Sequence, residues 1–424
     1  MQVLTLTLLW ICAIGTKSWE VNKVEGVIGK PLAVLIDSES NTYVIAEDPS
    51  SFLFRRLFKF DPEKNIILEV DITDSIVNYY ISNNDDFYLT RWTTGGTTAV
   101  NTIKSGSLKW ETIADIGNWV LVYMDNDGNL IYNGEDFGVY LLKYNTTEAV
   151  KVQNLENFTI SKVLTDKNGD IYLGGAVASI DNGTVSGEHQ FAVITAESKE
   201  NIPEGVFIDG VFDNATSEFI YDLKATGNNE LLISISNGGT EGAVKKYSNN
   251  TLTTLLSNEV YQYYGFEGND KISLIRSCDY SALRCRLSYL IPNGEIVEIV
   301  NLLNKTTDAD HFNNAYSEDG DVYFSDFRKV DQSSLEFLNY TDTETIPIYF
   351  NETVEIGVYN VLLDGNEDLW VLTSRFGIYY LEKGSFNLEK VPGTEELGAT
   401  VFSVDKRTNE VFAVSENGLF VVTK

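Results

Sequence analysis

The chain has 424 residues, 31 Lys+Arg against 62 Asp+Glu for a net charge of −31, and an apolar share of 43%. That apolar share supports a large core and excludes global disorder, while the charge excludes electrostatic capture of nucleic acid or an anionic membrane, because no basic surplus is there to neutralise phosphates. Two histidines exclude a zinc site of three imidazoles and leave little for histidine-based catalysis.

From Met1 to Ala13 the chain is apolar apart from Gln2, Thr5 and Thr7, with Leu8-Leu9-Trp10-Ile11 at its centre. Small residues at Ala13 and Gly15 have the spacing of a cleavage site, although a basic n-region is missing. The expected leader is residues 1–15, with a cut as late as 18, and residues 16–424 form the expected propeller domain. No other segment approaches the ~18 apolar residues of a membrane helix, so a secreted, extracellular product without a membrane partner is expected.

One pattern then recurs to the C-terminus: a short apolar strand, a turn of Asp, Asn and Gly, and a second apolar strand. It appears as LIDSESNTYVI, YISNNDDFYLT, YMDNDGNLIYN, LTDKNGDIYLG, KATGNNELLIS, GFEGNDKISLI, YSEDGDVYFS, LLDGNEDLWVL and VDKRTNEVFAV. The first apolar residue after each turn is Tyr43, Phe87, Leu130, Ile171, Leu231, Ile272, Val322, Leu369 and Val411, at intervals of 41 to 60 residues that average 46. A third strand such as GVYLLKYN or GLFVVTK and a fourth such as NIILEVD or TLTTLLS complete a unit. Repeats of this length with four strands predict an all-β fold, a single β-propeller of eight or nine four-stranded blades, nine repeats being read. The last unit stops at Lys424 without a fourth strand, and WEVNKVEGVIG precedes the first with no other place in the scheme. The N-terminal strand is therefore expected to close the ring and remove an open edge. The long fourth unit carries ASIDNGTVSGEHQ, expected to be a surface loop.

Eight sequons, at Asn145, Asn157, Asn182, Asn214, Asn249, Asn304, Asn339 and Asn351, each have Thr at the second following position and suggest a glycosylated surface. Loss of the leader removes Cys12 and leaves Cys278 and Cys285 in IRSCDYSALRCRL, where a strand reversal favours a hairpin disulfide over two buried thiols. DNDGN at 125–129 starts like a calcium loop but has Asp136, not Glu, at the twelfth position, and it sits where DKNGD and SEDGD form turns. His189 and His311 lie in polar stretches, and no G-x-S-x-G elbow or phosphate-binding glycine loop occurs. No catalytic residue, metal ligand or cofactor is singled out.

Arg91, Arg276, Arg328 and Arg375 each follow the second strand of a unit, and Trp92, Phe327 and Phe376 adjoin three of them. In a propeller these connections share one face, so Arg91, Trp92, Arg276, Arg328, Arg375 and Phe376 are the expected ligand-binding residues for a flat, anionic organic molecule. The competing reading is that these arginines pair with acids on a heavily negative surface.

LIDSESNTYVIA, TDKNGDIYLGG and VDKRTNEVFAVSENGLFVV resemble the repeats of secreted insect propellers, especially the ommochrome-binding proteins of haemolymph. LWVL at 369–372 and the overall length are similar to the yellow and royal-jelly family. The first resemblance implies a plasma carrier of a tryptophan-derived pigment, so a secreted glycosylated binding protein for a small aromatic ligand is the leading expectation. An extracellular propeller enzyme, such as a metal-assisted hydrolase or lactonase, is the second; a structural or interaction protein without a small ligand is the third.

Overall fold

The computed structural model describes residues 18–424 except 49–50, 118–120, 126, 147, 182–183, 214–216, 229, 238–240, 259–262, 269–272, 280–283, 291–295, 299–311, 327–334, 339–345, 349, 351–357 and 374–375. At some strand positions, Arg276, Cys278 and Cys285 among them, the backbone alone is described. The expected leader lies outside the described residues.

These residues form nine four-stranded antiparallel sheets. Blades 1 to 9 span residues 30–72, 75–116, 122–151, 158–207, 219–258, 263–298, 312–348, 358–390 and 401–423. Eight blades take their strands in chain order. Blade 9 has three, Val401–Asp405, Glu410–Ser415 and Gly418–Thr423, and borrows its fourth from Glu20–Lys23, with Glu20 opposite Thr423 and Lys23 opposite Phe420. The N-terminal strand thus completes the last blade, as the missing strand at Lys424 predicts.

Among the described residues buried clusters join most neighbouring blades. Tyr43 and Phe87 link blades 1 and 2, Ile131 and Leu173 link 3 and 4, Val361 and Tyr323 link 8 and 7, and Phe58 and Phe412 link 1 and 9. Among the described residues the first strands of blades 9 and 1, 1 and 2, 4 and 5, 5 and 6, 7 and 8, and 8 and 9 approach one another, which makes them the inner strands. The second strands, covered on both sides, are buried end to end in Leu231–Ser236 and Leu369–Thr373, hence their unbroken apolar sequence. An outer strand such as Ile66–Ile72 has alternating, partly exposed positions.

The recurrent turn is a five-residue device. In 37–41, 125–129, 166–170 and 364–368 the first Asp accepts backbone N–H groups from the third and fifth residues at 2.8–3.0 Å. The fourth residue is left-handed: Ser40, Gly128, Gly169 and Glu367 have φ of 68°, 84°, 84° and 62°. The fifth side chain clamps the next hairpin, Asp86 accepting from Ser105 N, Asn129 from Tyr144 N and Asp368 from Lys383 N at 2.7–2.8 Å. Where the left-handed residue has a carboxyl or amide, it can staple the preceding blade: Asp85 accepts from Ser38 N and Asn409 from Gly365 N, both at 2.9 Å. Much of the acidic surplus is therefore structural.

One expectation is corrected. The insert in blade 4 is not a loop but the extension of a hairpin, Ile171–Asp181 paired with Thr184–Ile194 as far as Asp181 opposite Thr184. Asn182 and Gly183, between the two strands, lie outside the described residues.

Candidate functional site in the central channel

The two faces of the ring differ. The five-residue turns share one face with the loops between third and fourth strands; the other, here the connection face, carries the loops between second and third strands and the passages between blades. Near this face the first strands of blades 1, 2, 4, 5 and 8 each have a β-bulge, at Leu32, Val77, Ser161, Tyr221 and Tyr359. A bulge disrupts the ladder and re-aims side chains. In blades 2, 5 and 8 the next residue satisfies the adjoining N–H itself: Asn78 accepts from Tyr79 N, Asp222 from Leu223 N and Asn360 from Val361 N at 2.9–3.0 Å. Asp222 also accepts Phe266 N of blade 6 at 2.8 Å, so its carboxylate is committed to the fold.

In blade 4 the equivalent residue is Lys162, which cannot accept a hydrogen bond. It is exposed, with Nζ 6.0 Å from the centroid of the Tyr221 ring, and makes no ion pair among the described residues. The belt is therefore rich in donors: the Lys162 ammonium and the side-chain amide nitrogens of Asn78 and Asn360. Tyr79 is exposed beside it, and the Tyr123 hydroxyl donates to Ser161 O at 3.4 Å. A cavity of about 420 Å³ opens along the first strands of blades 2, 3 and 4, lined by Asn78, Tyr80, Ile81, Tyr123, Met124 and Val163 among others. Burial pushes the Tyr80 and Tyr123 hydroxyls up, so both remain protonated donors at neutral pH.

The expected arginine site is described in part. Arg91 lies at the end of the second strand of blade 2, where its Nε donates to Asn101 Oδ1 at 2.9 Å and its guanidinium pairs with buried Asp74. Trp92 beside it is 38% exposed, and Phe376 carries the Lys390 ammonium 5.9 Å above its ring. Arg276 is placed by its backbone opposite Gly265 and Leu287; its side chain, Arg328 and Arg375 lie outside the described residues. Cys278 and Cys285 stand directly opposite on neighbouring strands. Asn145, Asn157 and Asn249 are exposed in turns with φ of 59°, 60° and 49°; the other five sequon asparagines lie outside the described residues. His189 lies between Phe212 and Phe219 with ring centroids 6.2 and 6.1 Å away, and His311 is outside.

The DNDGN carboxylates already hold a cation. Lys199, 3% exposed, sets Nζ 3.2 Å from Asp125 Oδ2 and 2.9 Å from Asp127 Oδ2. Burial alone would lower its pKa, but the hydrogen bonds and charges of Asp127 and Asp125 outweigh that and raise it. Burial raises the carboxyls of Asp37 and Asp364 despite the turn hydrogen bonds that oppose it.

The channel belt escaped the motif reading because one polar residue in an apolar strand is an ordinary event. Its signal is positional: Asn78, Lys162, Asp222 and Asn360 each stand four residues before the first residue of the turn, Ser82, Asp166, Thr226 and Asp364.

No family model matches the chain, and no curated protein matches it. Among solved structures, dipeptidyl peptidase 4 of Porphyromonas gingivalis superposes with a TM-score of 0.54 at 9% identity, over 91% of this chain and 64% of that one. A study of two prolyl endopeptidases supplies a match at TM-score 0.48 and 14% identity, covering 83% and 54%. Pyrococcus horikoshii acylaminoacyl peptidase follows at 0.45 and 12%, covering 87% and 53%. The chain thus spans 53–64% of these proteins' lengths. At such identities the likeness shows the β-propeller fold alone. No family model and no curated protein supports the resemblance to insect ommochrome-binding proteins or to the yellow family, and the structure that superposes at a TM-score of 0.54 is a peptidase, so neither that resemblance nor the pigment-carrier expectation stands. The strings that carried it are the hairpin turns, which turn geometry dictates in any propeller built this way.

Proposed function

We propose that the chain is an extracellular, polypeptide-binding β-propeller whose central channel takes a peptide by its carbonyl groups and a carboxylate, with Lys162 as the charged anchor. The observation that carries this reading is the donor belt: Asn78 and Asn360 spend their oxygens on the bulged backbone and their amide nitrogens donate to no group among the described residues, where Lys162 likewise makes no ion pair. Peptide carbonyls and carboxylates are acceptors, and exposed tyrosines supply flat apolar area for side chains. The ammonium has no ion pair among the described residues of a strongly acidic protein, so the net charge repels free anions while the channel holds one local attraction.

A second reading, a propeller serving peptide hydrolysis, is supported by the peptidase with which the fold superposes at TM-score 0.54. In it the same channel admits or positions substrate, and cleavage belongs to groups beyond the belt.

Anisotropy of labelled hexapeptides with free C-terminal carboxylates, and of the same peptides amidated, tests the proposal. A hydrogen bond to a charged group contributes about 1.5–3 kcal/mol, so Lys162→Gln should weaken the carboxylate peptides roughly 10- to 100-fold and the amides little. Equal loss for both forms, or none for either, would rule out Lys162 as the anchor.

A further inference from the structure

A second set of side chains lies on the connection face, none of them lining the channel cavity. On the connection face of blades 9, 1, 2 and 3, the apolar side chains of Ile28, Phe54, Trp92, Leu121, Phe137 and Val401 are 37–58% exposed. Large apolar side chains exposed together mark interaction sites more often than single ones do. Among the described residues of blades 4 to 7, the exposed large apolar side chains, Ile202, Val206, Phe207 and Ile346, lie instead at the outer strands or the turn face.

Phe137 points to selection for contact. It occupies the left-handed position of a five-residue turn, with φ of 58°, Gly134 N donating to Gly138 O at 2.9 Å and Phe137 N to Gly134 O at 3.0 Å. Glycine is relaxed there and a bulky side chain is strained. The ring is 58% exposed, so core packing does not explain the strain. Backbone strain of this kind clusters at ligand clamps and other functional positions.

No sequon falls in the segments that carry these six side chains, and Asn157, in the passage from blade 3 to blade 4, is the described one at the edge of this surface. All eight fall between Asn145 and Asn351, although blades 8, 9, 1 and 2 with most of blade 3 supply about half the chain. The ring brings the two sequon-free ends of the sequence together. Asn145 itself is in the loop after the third strand of blade 3, at the opposite face.

Charge selects the occupant. Four of the basic residues at this face are paired, Lys30 with Glu416, Arg55 with Glu47, Arg56 with Asp48 and Arg91 with Asp74, while Lys23 is exposed without an ion pair among the described residues. Glu25, Glu135 and Glu396 are exposed around the apolar side chains. A second copy would bring a further net charge of −31 against this rim.

We infer that this face docks a basic polypeptide segment that carries apolar side chains between its lysines or arginines. The inference does not depend on the channel, because its residues and Lys162 are separate.

The test uses the full chain and a labelled, C-terminally amidated amphipathic peptide of alternating leucine and lysine pairs, with an amidated glutamine-for-lysine counterpart as control. Wild type should bind the cationic peptide, less tightly as salt rises, and should ignore the control. Phe137→Gly relieves the strain, so the variant should fold with an unchanged or higher melting temperature yet bind at least tenfold more weakly. Lys162→Gln should bind as wild type does. Equal binding by wild type and Phe137→Gly overturns the inference, as does loss of binding in Lys162→Gln, which places the peptide in the channel. Concentration-dependent dimerisation abolished by Phe137→Gly would instead assign the face to a second copy and overturn it equally.

Discussion

Replacing Asp125 by Ala should be among the most damaging single changes in the chain, and far worse than removing its partner. The Asp125 side chain has no exposed surface; Oδ1 accepts Asp127 N and Asn129 N at 3.0 and 2.8 Å, and Oδ2 accepts Asn129 Nδ2 at 2.7 Å and Lys199 Nζ at 3.2 Å. Removal strips the turn of its acceptor and leaves a buried ammonium facing Asp127, whose side chain is 64% exposed and so screened. Breaking a buried pair by deleting one partner costs about 3–5 kcal/mol. Lys199→Met also leaves a buried charge, but the Asp125 carboxylate keeps its three turn hydrogen bonds from residues 127 and 129, so the cost should be about 2 kcal/mol, below the range for a broken buried pair. The double variant should lie well short of the sum of the two, since the residues are coupled. Urea denaturation midpoints of the four proteins measure this. A cost below about 1 kcal/mol for Asp125→Ala, against the range for broken buried pairs, or equal costs for the two single variants, would refute the argument. The pH dependence has a definite sign. Lys199 has a raised folded pKa, so the pair's contribution is whole below the ordinary lysine value of 10.5 and fades as pH climbs through the higher folded value. Lys199→Met should lose that alkaline sensitivity.

Cys278 and Cys285 should form a disulfide: peptide mapping without reduction should find them joined, and Cys278→Ser should lower stability by about 2–3 kcal/mol, the chain-entropy value for so short a loop, whereas two free thiols would contradict it. Arg91→Ala should destabilise by about 2–4 kcal/mol because Asp74 is left buried without its cation, and unchanged thermal stability would return Arg91 to the list of free ligand groups. Asp85→Ala should lower stability by about 1–2 kcal/mol, because Ser38 N and Ser38 Oγ both lose an acceptor in the next blade; Asp85→Gly, suited to φ of 60°, should cost less, and the reverse order would refute the staple. Deglycosylation of protein secreted from eukaryotic cells should shift the masses of peptides containing Asn145, Asn157 and Asn249, and unmodified peptides throughout would exclude those sites.

The architecture was legible because its cause is local. Each turn needs an Asp, Ser or Thr at its start and a residue that tolerates positive φ at its fourth position, and Asp37, Asp125, Asp166 and Asp364 show that requirement in the bare sequence. The completed ninth blade followed from a strand missing at Lys424 and one spare at Glu20–Lys23. The same local cause misled the family reading, since the turn strings report hairpin geometry and nothing of ancestry. The partner of Arg91 was hidden for the opposite reason: Asp74 lies 17 residues away and is brought close by pairing of the first and second strands, which no spacing rule reveals. Lys162 was visible as a residue but its role needed the bulge, because only against Asn78, Asp222 and Asn360 does a side chain without an acceptor stand out.

The central claim is that peptide binds in the channel, and photocrosslinking tests it most directly. A hexapeptide with a free carboxylate and one benzophenone side chain, crosslinked to the intact chain and mapped by mass spectrometry, should mark first-strand positions near Lys162, such as Tyr79, Tyr123 and Tyr221. Excess unlabelled peptide should abolish these adducts. Adducts confined to outer strands such as Ile66–Ile72 or Gly205–Phe207, with the first strands unmarked, would contradict the account.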